Sequence, residues 1–136
     1  MAEAISGHSN VMDYKAMPTV CYTTPEVATS GLTLEEAKNQ GYNALASVFP
    51  SVANSRTTAN GGGEGFMRLV FEEKTGLVLG AQIVGEQAGE MITVITTAIE
   101  AGFTIEDLAL TIFPHPSLSE VIMDSAELAM GYPIHL

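Results

Sequence analysis

The chain has 136 residues, the length of one domain, of which 46% are hydrophobic and 15% charged. That balance excludes a disordered segment and allows roughly two-thirds of the unfolded surface to be buried. Five Lys+Arg stand against 16 Asp+Glu for a net charge of -11, and after Lys74 there is no basic residue although eight carboxylates follow. A surface that cannot neutralise phosphates is a poor candidate for nucleic acid or an anionic membrane. Apolar content this high, with so few charges, points to apolar surface covered by a partner. The single Cys21 excludes an internal disulfide and fits a reducing compartment.

No apolar run reaches the roughly 20 residues of a membrane span, and no basic-then-apolar secretory signal opens the chain. Residues 1–17 read as a leader or the remnant of a domain boundary, with Met1-Ala2-Glu3-Ala4-Ile5 as the end of a helix; residues 18–136 read as the domain. Pro18 opens an extended stretch over residues 19–24, rich in β-branched and aromatic residues, which Pro25 ends. Thr33 and Glu36 have the spacing of a capping box for a helix that stops at Gly41. Strands are expected over 44–51 and 65–72, separated by a loop containing Asn60-Gly61-Gly62-Gly63. Lys74-Thr75-Gly76 reads as a tight turn into a strand over 77–84, making a hairpin. Ala88, Met91, Ile92, Ile95, Ala98 and Ile99 then form one helical stripe. A short helix follows Thr104, capped with Asp107. A last helix is expected from Ser117, with Leu118, Val121, Ile122 and Ser125 on one face. Strands first and helices after imply an α+β fold: an antiparallel sheet with helices packed on one face.

Few motifs carry chemistry. Gly61-Gly62-Gly63-Glu64-Gly65 fails as a dinucleotide fingerprint because Phe66 stands where the third glycine belongs, and reads as a mobile hairpin loop. Cys21 has no CxxC partner and is expected to be a small buried hydrophobe in a strand. The methionines read as core or interface filler. His8 and His135 are expected to be solvated, and no His/Cys cluster has metal-ligand spacing, so no metal is expected. There is no GxSxG elbow for a serine hydrolase. What remains is Phe113-Pro114-His115-Pro116-Ser117-Leu118-Ser119-Glu120. Two prolines hold His115 out of helical geometry at a helix start, and Glu120 lies one turn past Ser117. Two readings stay open at this stage. Glu120 could fix the imidazole tautomer and raise its basicity, the arrangement of a general base. Ser117-x-x-Glu120 could equally be a plain capping box.

Three ordered blocks resemble a known family: Pro18-Thr19-Val20-Cys21-Tyr22-Thr23-Thr24-Pro25-Glu26-Val27-Ala28, Gly31-Leu32-Thr33, and His115-Pro116-Ser117-Leu118-Ser119-Glu120. From about Met12 to Gly131 the chain is similar to the C-terminal interface (dimerisation) domain of the flavin-dependent pyridine nucleotide-disulfide oxidoreductases. Asn54-Ser55-Arg56, the segment from Leu79 to Gly85, and Ala88-Gly89-Glu90-Met91-Ile92 resemble the dihydrolipoamide dehydrogenase branch. Mercuric reductases and large thioredoxin reductases end in a cysteine or selenocysteine pair, whereas this chain ends Pro133-Ile134-His135-Leu136. It departs from the branch in having Phe113-Pro114 before His115, where His-Ala is common, and Ser117 where Thr is usual.

The resemblance implies a role. FAD and NAD domains and a redox cysteine pair would precede this segment, and the domain would form a homodimer across a two-fold axis. His115 would be the acid/base of the partner subunit's active site, taking a proton from the dithiol and protonating the leaving thiolate, with Glu120 orienting it. A cis bond is implied between His115 and Pro116, whose backbone would lie near the partner's flavin. The parent would oxidise dihydrolipoamide carried on an acyltransferase complex, in the cytoplasm or, in a eukaryote, the mitochondrial matrix or plastid. The isolated chain, lacking the cysteine pair and both dinucleotide motifs, is expected to bind no cofactor and to be inactive alone. The alternatives are the interface domain of another flavin disulfide reductase, or a freestanding dimerisation module without catalysis.

Overall fold

The computed structural model describes residues 2–7 and 13–134; His8 and His135 lie outside them, as does part of the expected leader. A one-turn helix α1 (Ala2–Ile5) precedes strands β1 (Thr19–Cys21) and β2 (Glu26–Gly31), helix α2 (Leu34–Asn39), strand β3 (Ala44–Pro50) and a short helix α3 (Ser55–Ala59). Strands β4 (Phe66–Glu72) and β5 (Val78–Gly85) follow, then helices α4 (Ala88–Ala101), α5 (Ile105–Leu110) and α6 (Glu120–Met130). The sheet is five-stranded in the order β1-β2-β5-β4-β3, with every pairing antiparallel. It is the expected α+β architecture.

Strand alternation decides the layering. Ala28, Phe49, Met67, Leu69, Ala81 and Ile83 point to one face and share a core with Ile92, Ile95 and Ile99 of α4 and Val121 and Ile122 of α6. Helix α4 lies over β2 and β5, α6 over β3 and β4, and α5 packs on α6. A shift of register between Val70 and Phe71 breaks the alternation. Leu79 therefore joins Val70, Ala44 and the α2 residue Ala37 in a second cluster, away from Ala81 and Ile83. Gly80 sits at this crossing, where the Leu32 amide donates to the Leu79 carbonyl at 2.9 Å. A Cβ on Gly80 would meet the Leu32 backbone.

Several expectations change in detail. The stretch expected to be extended to Thr24 leaves the sheet after Cys21, bends through a cis Thr24–Pro25 bond, and returns as β2. Strand β2 was not anticipated because its core-facing positions are small: Ala28 and Ser30 are buried, and small side chains let α4 come close. Ser30 Oγ donates to the Ala16 carbonyl at 2.8 Å and pairs with Thr96 Oγ1 of α4 at 2.9 Å. Cys21 is not a buried hydrophobe but exposed, because β1 is the edge strand and only Val20 turns to the core. The glycine-rich segment joins α3 to β4, with the Gly61 and Gly62 amides donating to the Thr58 and Thr57 carbonyls. Helix α6 begins at Glu120 rather than Ser117.

Both expected capping boxes form. Thr33 with Glu36 starts α2, and Thr104 with Asp107 starts α5, each carboxylate accepting from the cap's backbone N–H. Those bonds hold the Glu36 and Asp107 carboxyls below the ordinary carboxylate range, the backbone bond contributing most and the cap hydroxyl next. Among the described residues, no helix is long and apolar enough to cross a membrane.

Candidate functional site

The segment between α5 and α6 is held at both ends by apolar side chains. Phe113 and Leu118 pack against the main core. Pro114, His115 and Pro116 between them are pushed out into solvent. The His115–Pro116 peptide bond is cis, as the resemblance implied.

Glu120 opens α6 and turns back beneath this turn. Its Oε1 lies 2.9 Å from His115 Nδ1, and its Oε2 accepts the Ser117 backbone N–H at 2.7 Å. One carboxylate thus makes both the contact with His115 and the backbone half of the capping box. The capping box is only half formed: Ser117 Oγ is buried without a hydrogen-bond partner among the described residues. The Glu120 side chain is 10% exposed and that of His115 68%. A carboxylate so far from water needs strong partners, and the charge-assisted bonds to His115 and Ser117 supply them. With Nδ1 turned to Glu120, Nε2 is the imidazole nitrogen left to act on a proton outside the chain.

The next residue outward is one that sequence reasoning used only as part of a resemblance. Asn54, 3% exposed, caps α3 by accepting from the Thr57 N–H at 3.0 Å. Its Nδ2 donates across to the Ser117 carbonyl at 3.1 Å. An asparagine three residues before Thr57 is a recognisable helix cap, but its second bond crosses 63 positions of sequence and leaves no local signal. Glu26 was missed in the same way: from β2 its Oε2 accepts the Gly89 N–H at 2.9 Å, placing negative charge at the start of α4.

An open groove of mixed charge runs beside the turn, lined by Arg56, Asn60, Glu86 and Glu90 with Pro116 and Ser119. Cys21 lies on β1, at the opposite edge of the sheet from β3, and takes no part in the His115 cluster. Among the described residues no group of His, Cys, Asp and Glu could hold a metal. At the turn itself the described residues bring together one exposed imidazole, its buried carboxylate and the backbone between them.

Comparison with known proteins bears on this arrangement. Residues 17–126 match the family model described as "Pyridine nucleotide-disulphide oxidoreductase, dimerisation domain". The dihydrolipoyl dehydrogenases of Geobacillus stearothermophilus and Halobacterium salinarum are 46% and 43% identical over 135 and 134 residues. These alignments cover 99% and 98% of this chain but only 29% and 28% of the relatives, so the chain spans less than a third of their length. Among solved structures, the HOCl-induced flavoprotein disulfide reductase RclA from Escherichia coli has a TM-score of 0.85 at 27% identity, covering 93% of this chain and 29% of that one. LpdA from Mycobacterium tuberculosis has a TM-score of 0.83 at 25% identity, covering 93% and 28%.

Proposed function

Because this chain belongs to the pyridine nucleotide-disulphide oxidoreductase dimerisation domain family, we propose that it is the interface domain of a dihydrolipoamide dehydrogenase, residues 18–136 forming the domain proper. In this reading it contributes His115 and Glu120 to the active site of a partner subunit. The observation that carries it is the 2.9 Å His115 Nδ1–Glu120 Oε1 contact, made by a buried carboxylate beneath an exposed imidazole.

The chemistry follows from that contact. Glu120 accepts a hydrogen bond from Nδ1–H and leaves the Nε2 lone pair pointing outward. Nε2 takes the proton of one substrate thiol, leaving a thiolate that attacks a disulfide held elsewhere. The imidazolium, stabilised by Glu120, then returns the proton to the thiolate released. The two prolines and the Phe113 and Leu118 anchors hold the imidazole in one place, so little entropy is lost in aiming it. FAD and NAD belong to this reading, bound by other parts of the parent. The glycine-rich segment leads from helix to strand rather than from strand to helix, which is not the order of a dinucleotide cradle. The exposed His115–Pro116 backbone fits one edge of a flavin site in the partner. When bound, the flavin would take up the electron pair that the dithiol has passed to that disulfide.

A homodimer is required by the same reading, since the His115 side chain, 68% exposed, is to act in the partner subunit's site. Leu110 and Ile112, just before the turn, are 75% and 96% exposed and are the apolar surface such a partner would cover. A dihydrolipoamide-bearing acyltransferase as outer partner, and the cytoplasm, matrix or plastid as location, complete the proposal.

The test is His115→Gln in the full-length protein, assayed for NAD-dependent oxidation of dihydrolipoamide. Loss of an acid/base group lowers turnover by about 10²–10⁴. Turnover within twofold of the unmodified protein would remove His115 from the mechanism. Activity with another dithiol but not with dihydrolipoamide would move the chain to a different branch of the family.

A further inference from the structure

We infer that Asn54 is a positioning residue, whose side-chain amide sets the tautomer of His115 by fixing the backbone on which Glu120 is aligned. The inference rests on the reading of His115 and Glu120 as the acid/base pair. Asn54 is 3% exposed, and both ends of its amide are used. Oδ1 accepts from Thr57 N at 3.0 Å and lies 3.3 Å from Thr57 Oγ1, while Nδ2 donates to the Ser117 carbonyl at 3.1 Å. Ser117 in turn donates its N–H to Glu120 Oε2 at 2.7 Å, and Glu120 Oε1 meets His115 Nδ1 at 2.9 Å.

The chain of bonds runs Asn54 to Ser117 to Glu120 to His115, and each link fixes one degree of freedom of the next. Ser117's own hydroxyl does none of this work, being buried without a partner among the described residues. The tether on the middle of the turn is therefore the Asn54 amide. It joins the β3–α3 segment to the α5–α6 segment, so the imidazole is referred to the sheet and not only to its own helix. Without it residues 116–118 gain freedom, the Glu120 carboxylate loses its fixed bearing on Nδ1, and the proton no longer has a reason to stay on that nitrogen.

The two jobs of Asn54 can be separated. In Asn54→Ser the hydroxyl still caps α3, but no donor reaches the Ser117 carbonyl; in Asn54→Ala both are gone. The readout is the ¹⁵N-resolved imidazole spectrum of His115 in the 136-residue chain, recorded in alkaline buffer where the spectrum shows a neutral ring. The unmodified chain is expected to show the Nδ1–H tautomer. Asn54→Ser is expected to lose that signal in favour of Nε2–H as fully as Asn54→Ala does, while only Asn54→Ala loses amide protection at Thr57. Retention of the Nδ1–H tautomer in Asn54→Ser would overturn the inference, leaving Asn54 a helix cap alone. Should neither variant fold, exchange of the Asn54 carboxamide protons in the unmodified chain decides: protection supports the tether, and exchange at the solvent rate overturns it. An Nε2–H tautomer already present in the unmodified chain would instead strike at the acid/base pairing itself.

Discussion

Glu120 and Ser125 sit on the same buried helix with opposite fortunes. The first has both carboxylate oxygens engaged, at His115 and at the Ser117 amide. The second is 0% exposed, and its hydroxyl has no partner among the described residues, while its backbone carbonyl accepts from Ser47 Oγ at 2.8 Å. A buried hydroxyl without a bond carries the cost of desolvation and returns nothing. Ser125→Ala removes that cost and keeps the Ser47 bond, so it is expected to raise stability by about 0.5–1 kcal/mol, read as a higher urea midpoint at unchanged slope. A lower midpoint would mean the hydroxyl is satisfied after all. Single residues also mark the limit of sequence reading. His115 and Glu120 are five positions apart and could be paired on paper. Asn54 and Glu26 act across the fold on residues that nothing local connects to them.

At the scale of elements, the capping boxes link structure to pH. Glu36 and Asp107 are held below their ordinary values of 4.5 and 3.8 by bonds that exist only in the folded chain. The unfolded chain therefore binds more protons as the medium is acidified. The stabilisation is fully present above the ordinary carboxylate values and is lost as pH falls through the lowered, folded ones. Urea midpoints measured from about pH 6 down to about pH 3 should fall, and Thr33→Ala with Thr104→Ala should make that fall shallower. An unaltered acid slope would show that the boxes contribute nothing. The sheet offers a second check. A Cβ on Gly80 would press into the Leu32 backbone at the point where the register shifts. Backbone cannot yield as a side-chain tip can, so Gly80→Ala is expected to cost about 2–4 kcal/mol in chemical unfolding. The elements with strong apolar periodicity, such as α4 with its Ala88, Met91, Ile92, Ile95, Ala98 and Ile99 stripe, were legible within a residue or two. Those built from small or polar residues, β2 and α3, were not, because their signal is close approach and capping rather than hydrophobic contrast.

For the whole molecule, the distribution of apolar surface is the informative quantity. Leu110 and Ile112 lie bare beside the His115 turn, and Tyr132 and Ile134 past the end of α6 are 73% and 70% exposed. The net charge of -11 keeps such a surface soluble but does not hide it. Sedimentation of the chain at micromolar concentration should give a dimer, and Leu110→Asp with Ile112→Asp should shift it to monomer. A monomer before substitution would leave the exposed loop without the proposed cover.

By itself the sequence determined the class of fold, the extent of most elements and both capping boxes, and it offered the pairing of His115 with Glu120 as one of two readings. All of these rest on periodicity or on partners a few residues apart, where chain geometry leaves little choice. The resemblance of its motif blocks pointed to the family that the comparisons then identified. Only the tertiary structure decided that Cys21 faces out, that the Ser117 hydroxyl has no partner among the described residues, and that Asn54 reaches the turn. Each of those depends on which strand forms the edge and which loops the packed helices bring together. The acidic, cation-poor second half, at first only a reason to exclude phosphate partners, contains the α6 carboxylate that supports the imidazole.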